Sequence, residues 1–271
     1  MKLKKLLALG IAIIMLAALT ACGGDDQNDE LTPYQFVEQA SEKLESADGT
    51  AYNMNMDVSV TIPDLPEDQG TMTMKMTGDA KQEKVGENNY KLAYNMSTDM
   101  SAMGAGTVDM EMYYADGYMY YNIPAAEAKY KIAMDMQEAL EEANSSALDG
   151  IEEEMVKESS MADEGDGKVV TMTLDGTKMT DMVTNMTGNL TASLGEGGEI
   201  SIGDIPYTVH IDADGNITSI EMDMTFDMTI QGSAMNMSMN LVMDVTSIGG
   251  VTVELPADLA DYPELTEDQL Q

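Results

Sequence analysis

The side chains able to do soft or nucleophilic chemistry are unevenly supplied in this 271-residue sequence: one Cys, one His and 28 Met. Cys22 stands alone, so the chain can form no internal disulfide, paired thiolate or cysteine-based metal site. The methionines recur as Met-x-Met at 54/56, 72/74/76, 110/112, 134/136, 222/224 and 235/237/239. In a strand, spacing by two puts both thioethers on one face. Such a face can fill a core, line a soft cavity for varied apolar ligands, or offer sulfur to Cu(I). Leu, Val and Ile substitute within the same alternation, which weighs against copper, and His210 is the only imidazole available to assist.

Catalytic constellations find little support. His210 sits in a strand-like stretch with no nucleophile elbow or partner spacing. Among 49 acidic residues, a pair at glycosidase spacing is expected by chance. No phosphate-cradling glycine loop, dinucleotide turn or His-based zinc motif occurs, and nothing requires a cofactor. Asp212-Ala213-Asp214-Gly215-Asn216 resembles a calcium loop only superficially: its glycine falls at position four, where an EF-hand needs it at six. A hairpin turn explains it better. The expectation is a protein that is not an enzyme.

The start of the chain speaks to location. Lys2, Lys4 and Lys5 precede an apolar run from Leu6 to Leu19, and small residues follow. That order describes an export signal, and the run is shorter than the roughly 20 residues needed to span a bilayer. Leu19-Thr20-Ala21-Cys22 resembles the lipobox of bacterial lipoproteins. The resemblance implies removal of residues 1–21, diacylglycerol and further acylation on Cys22, and residence on the extracytoplasmic face of the cell membrane; a Gram-positive surface is expected on a separate likeness, that of the fold. Two or three acyl chains hold a protein to a membrane where one does not.

Charge narrows the partners. Three of the 13 lysines lie in the signal, all 49 acids follow Cys22 and there is no arginine, so the 250 residues from Cys22 onward carry a formal −39. Such a surface repels nucleic acid and anionic headgroups. Membrane contact must then come through the anchor or an apolar surface. High acidity can signal disorder, but 44% apolar residues in patterned runs argue for a fold.

The elements that would position these side chains follow from periodicity. Gly23–Glu30 reads as a flexible tether within residues 22–31. Thr32-Pro33 caps a helix, Pro33–Ala47, with Phe36, Val37, Ala40 and Leu44 on one stripe and Gly49 as its stop. From residue 51 the period is two: strands are predicted over 52–62, 71–77, 89–100, 108–114 and 118–122, with Asp116-Gly117 as a tight turn. Met134–Ala143, Leu148–Lys157 and Thr177–Leu194 read as helices, Ser159–Gly167 as a loop and Lys168–Leu174 as a strand. Strands resume at 207–211, 217–230, 234–248 and 251–255.

An N-terminal amphipathic helix, long curling strands, a central helical insertion and a return to strands together resemble the LolA/LppX-type lipoprotein-carrier fold. Pro33–Ala47, Tyr207-Thr208-Val209-His210-Ile211-Asp212 and Val251-Thr252-Val253-Glu254-Leu255-Pro256 carry the likeness. It implies an incomplete barrel enclosing an apolar cavity, with helices as a lid. Soluble members shuttle lipid between membranes. This chain departs from them in keeping its own anchor, which puts shuttling in doubt.

The expectation is therefore an α+β domain over 32–258: an antiparallel curled sheet of about 10–11 strands, helices on or in its concave side, a helical insertion near 134–194, and an acidic tail from 259 to 271. A lipid or other apolar ligand would lie against Met54, Met56, Met72, Met74, Met76, Met110, Met112, Met222, Met224, Phe226, Met228, Met235, Met237 and Met239. The competing reading is a structural or interaction lipoprotein whose interior is filled.

Overall fold

The computed structural model describes residues 31–63, 70–86, 89–104, 106–135, 152–180, 199–230 and 233–265. The expected signal, Cys22 and nearly all of the tether fall outside these residues. So do most of the predicted helices Met134–Ala143 and Thr177–Leu194; of their described residues, 177–180 are helical.

Helix α1, Pro33–Glu45, begins with a complete capping box: Thr32 Oγ1 accepts the Gln35 amide at 3.2 Å, and Gln35 Oε1 accepts the Thr32 amide at 3.0 Å. Its buried residues, Val37, Ala40, Ser41 and Leu44, lie at helical spacing on one stripe. Gly49 does not stop this helix. It opens strand β1, where an added Cβ would stand 2.9 Å from the Gln82 carbonyl oxygen.

Twelve strands form one antiparallel sheet that is not closed into a barrel: β1 Gly49–Thr61, β2 Thr71–Gly86, β3 Asn89–Asp99, β4 Thr107–Ala115, β5 Tyr118–Ile123, β6 Ala128–Ala133, β7 Val156–Glu164, β8 Gly167–Leu174, β9 Glu199–Ile202, β10 Ile205–Ile211, β11 Ile217–Ile230 and β12 Ser233–Ile248. The spatial order is β6-β5-β4-β3-β2-β1-β12-β11-β10-β8-β7, with β9 pairing β11. Two meanders are thus joined where the first strand meets the last, for instance Met54 opposite Met243. Between β4 and β5, Asp116 and Gly117 take φ of 52° and 80°, as a two-residue hairpin turn of this hand requires. The α+β incomplete barrel expected from the alternation is what the chain forms.

Several expectations are corrected. The described part of the stretch near 134–194 is largely sheet rather than helical insertion, because β7 and β8 form a hairpin of the main sheet; residues 136–151 and 181–194 lie outside the described residues. Leu148–Lys157 yields, among its described residues, only a single 3-10 turn at Glu153–Met155 before β7 begins. Ser159–Gly167 is mostly strand rather than loop. β7 is exposed on nearly every residue, so its ladder to β8 holds it without any apolar alternation to announce it. β6 and β9 were not anticipated. Tyr130 and Ile132 do carry a short alternation in β6, while β9 is only four residues long.

Val251–Leu255, predicted as a strand, takes no regular structure and pairs in no ladder. Gly249 and Gly250, at φ of 77° and 66°, turn the chain out of the sheet, and Glu83 then accepts the Val253 amide at 2.9 Å. The fold also runs past residue 258. Leu259 and Tyr262 are buried against Tyr113, Ala115 and Tyr120 on the outer face, with Tyr262 edge-on to Tyr120 at 5.8 Å. The same segment caps the β6 edge: Lys131 donates its amide to Pro263 and accepts that of Leu265. An unpaired ladder edge is thereby covered.

Candidate functional site: a methionine-lined inner face

Cross-strand register places every predicted methionine, and Phe226, on the same face of the sheet. Met72, Val60, Met237 and Phe226 form one row across four strands; Met74, Val58, Met239 and Met224 form the next. Then come Met76, Met56, Leu241, Met222, Tyr207 and Met172, followed by Met110, Met96, Gly78, Met54, Met243, Ile220, Val209 and Val170. Met112 lies opposite Tyr94 and Tyr121, and Met228 lies opposite Met235. Alternation alone brings them together.

Gly78 interrupts the row for a steric reason. A Cβ there would meet the Asn95 carbonyl oxygen at 2.7 Å and the Tyr94 hydroxyl at 3.4 Å. The Tyr94 ring uses that space, and its hydroxyl reaches Met54 Sδ at 3.9 Å. Burial, with Asp79 adding to it, pushes the Tyr94 phenol up to about 12. Burial and Tyr130 do the same to Tyr121, also to about 12, and the two rings stack at 5.0 Å. Tyr207 is raised further by burial alone, and its hydroxyl has no partner among the described residues. These phenols therefore stay neutral through the ordinary pH range, and the face stays apolar with them.

Burial along the face is graded. Where α1 packs against β7, β8 and β11, the interior is full: Val170, Leu174, Ile205, Tyr207 and Val209 are all 0% exposed. At the hairpin ends of β1–β2 and β11–β12 the methionines are half-buried, including Met74, Met76, Met228, Met235 and Met237, and Met72 reaches 37% exposure. Phe226, Met110 and Met96 share this intermediate state, whereas Met54, Met56, Met112, Met222, Met224 and Met239 are buried.

The opposite face is polar and internally paired. Asp57 lies 3.4 Å from Lys75, Asp79 accepts from Asn95 at 2.9 Å, Asp223 from Asn240 at 2.7 Å, Asp244 from Ser219 at 2.9 Å and Glu111 from Asn122 at 2.8 Å. Each pair spans neighbouring strands, so the carboxylates contribute to sheet pairing. A cleft of about 670 Å³ is lined by Asp57, Lys75, Asp223 and Asn240 of this face and also by Val58, Met74, Met224 and Met239. His210 belongs to the polar face as well, between Glu164 at 2.6 Å and Glu221 at 3.8 Å. Among the described residues no three His, Cys, Asp or Glu are grouped to hold a metal. In the Asp212–Asn216 turn, burial would raise the Asp212 carboxyl. Hydrogen bonds from the Asn216 side chain and from the Asn216 and Asp214 amides outweigh that and hold it low.

Sequence reasoning found the face but not its gradient. Nor did it find Tyr94, Tyr121 and Tyr130, whose parity with the methionines was the available signal.

The described residues thus form an open antiparallel sheet backed by α1, with an apolar inner face and a paired acidic outer one. It belongs to DUF6612, a family of unknown function, whose model matches residues 32–262. No curated protein matches it. A structure of lipovitellin, described for its lipid–protein interactions, is similar at 9% identity and TM-score 0.35 over 77% of this chain and 26% of that one. An AttH candidate from Nitrosomonas europaea is similar at 7% identity and TM-score 0.23, over 73% and 52% of the two chains. A β-barrel-like DUF1849 protein from Brucella abortus is similar at 11% and TM-score 0.19, over 73% and 98%. This chain thus spans about a quarter of the lipovitellin chain and half of the Nitrosomonas protein. At such distances neither lipid content nor barrel closure transfers to it.

Proposed function

We propose that this chain is a non-catalytic, extracytoplasmic lipoprotein, anchored through Cys22, that holds a lipid or another apolar ligand against the half-buried methionine end of its inner face. One observation carries the reading: the inner face is sealed where α1 covers it, yet Met72, Met74, Met76, Met228, Met235 and Met237 remain partly open at the other end. Methionine suits a surface that adapts to flexible chains, because it is unbranched and polarizable. An outer face rich in carboxylates stays in water and repels anionic headgroups, which leaves the inner face for an apolar guest.

Native mass spectrometry of the mature chain carrying Cys22→Ser tests this, together with titration of the fluorescent fatty acid cis-parinaric acid. A co-purifying lipid mass and saturable uptake are expected. A clean protein mass with no uptake would overturn the ligand reading. The fully packed α1 end would then favour the second reading, a tethered interaction protein with a filled interior. For the anchor, Cys22→Ser abolishes acyl labelling and releases the protein from membranes; retained labelling would overturn it.

A further inference from the structure

The two ends of the inner face differ in the kind of apolar residue they use as well as in exposure. The sealed end is built largely from Val170, Leu174, Ile205, Val209, Ile211 and Ile220. The open end is built mostly from thioethers, although an aliphatic side chain would satisfy the same strand alternation. Thioethers differ from aliphatic groups in one relevant reaction, two-electron oxidation to the sulfoxide, and its rate follows access to solvent. Competing reductants are few: the chain has no Trp, and its one Cys is the expected anchor.

Resting on the ligand reading above, we propose that the open rim around Met72 is an oxidation site through which a peroxide regulates apolar binding. The sulfur lone pair of Met72 attacks one oxygen of hydrogen peroxide, the O–O bond breaks, and the proton on the transferred oxygen passes to the departing hydroxide, which leaves as water. Sulfur is oxidised and the peroxide reduced. The product is a polar sulfoxide that water can solvate at this rim, so the fold is kept while the apolar surface is lost. Val60 lies opposite Met72 and Met237 opposite Val60 in the same row, and Met74 lies two residues along β2, so a sulfoxide at Met72 breaks the end of a continuous greasy strip. Buried Met56, Met172 and Met222, each at most 3% exposed, provide an internal reference that peroxide cannot reach without unfolding.

The test treats the mature Cys22→Ser chain with hydrogen peroxide and maps oxygen addition by peptide mass spectrometry. Met72 is expected to react about tenfold or more faster than Met56, Met172 and Met222. Partly oxidised protein, still folded by circular dichroism, should bind cis-parinaric acid about tenfold more weakly, and methionine sulfoxide reductases should restore binding. Met72→Leu, compared with its own untreated sample, should lose less affinity on oxidation than the parent does. Equal rates at rim and core, affinity unchanged with Met72 fully oxidised, or loss of binding only on unfolding would each overturn the regulation and leave the ligand reading standing. Failure of the untreated protein to bind would overturn both.

Discussion

The sealed and open ends of the inner face share one sheet and one alternation, yet they solve different packing problems. Around Leu174, Ile205 and Val209, branched side chains are fully buried in the part of the sheet that α1 packs against. Around Met72 and Met237, flexible side chains lie on the same kind of ladder without that cover. Secondary structure therefore does not decide where an apolar face closes. The position of a single helix and the rotamer freedom of the residues beneath it do.

The comparison breaks most directly through paired truncations. Leu174→Ala should cost about 2–5 kcal/mol, as expected for a fully buried leucine, and Met74→Ala less than half of that, measured by urea unfolding. Equal losses would mean the two ends are equally packed. Gly78→Val, which forces a side chain into the Tyr94 space, should cost about 1–3 kcal/mol and shift the tyrosine near-UV signal. An unchanged spectrum would show that Tyr94 does not depend on the glycine.

Thr32→Ala removes the side-chain half of the capping box on the covering helix and should cost about 1 kcal/mol. The same change should raise cis-parinaric acid uptake if α1 is what seals that end. Tyr207→Phe removes a buried hydroxyl with no partner among the described residues and should be neutral or stabilising by up to about 1 kcal/mol. A clear loss would reveal a buried water at that oxygen. The smallest effect belongs to Glu45, in the last turn of α1. Burial and then Glu42 push its carboxyl from 4.5 up to about 7. The folded state thus binds this proton more tightly than the unfolded one, so stability falls as pH rises from 4.5 to about 7. Glu45→Gln should flatten that window by less than about 1 kcal/mol, given the side chain's exposure to solvent.

What was legible in the sequence was parity. Alternation assigns Met54, Met74, Met224 and Met239 to one face without any knowledge of register, because a one-residue slip would send them all into water. β7 was illegible for the converse reason: exposed on both faces, it carries no alternation, and only its pairing with β8 defines it. Val251–Leu255 alternates convincingly yet joins no ladder, because the two preceding glycines redirect the chain before it can pair. Leu259 and Tyr262 are too sparse to form a pattern, and only the tyrosine cluster of β4 and β5 gives them a place to dock. The open end could not be read at all, since it depends on where α1 comes to rest on a sheet assembled from distant segments.

The pairing of β1 with β12 has a kinetic consequence. Loop-closure entropy makes contacts between distant segments slow to form. The seam that unites the two meanders cannot zip until the last long strand has been synthesised, and until then β1 offers a free ladder edge beside its greasy face. A nascent chain stalled before residue 233 would be a template for mispairing with its neighbours.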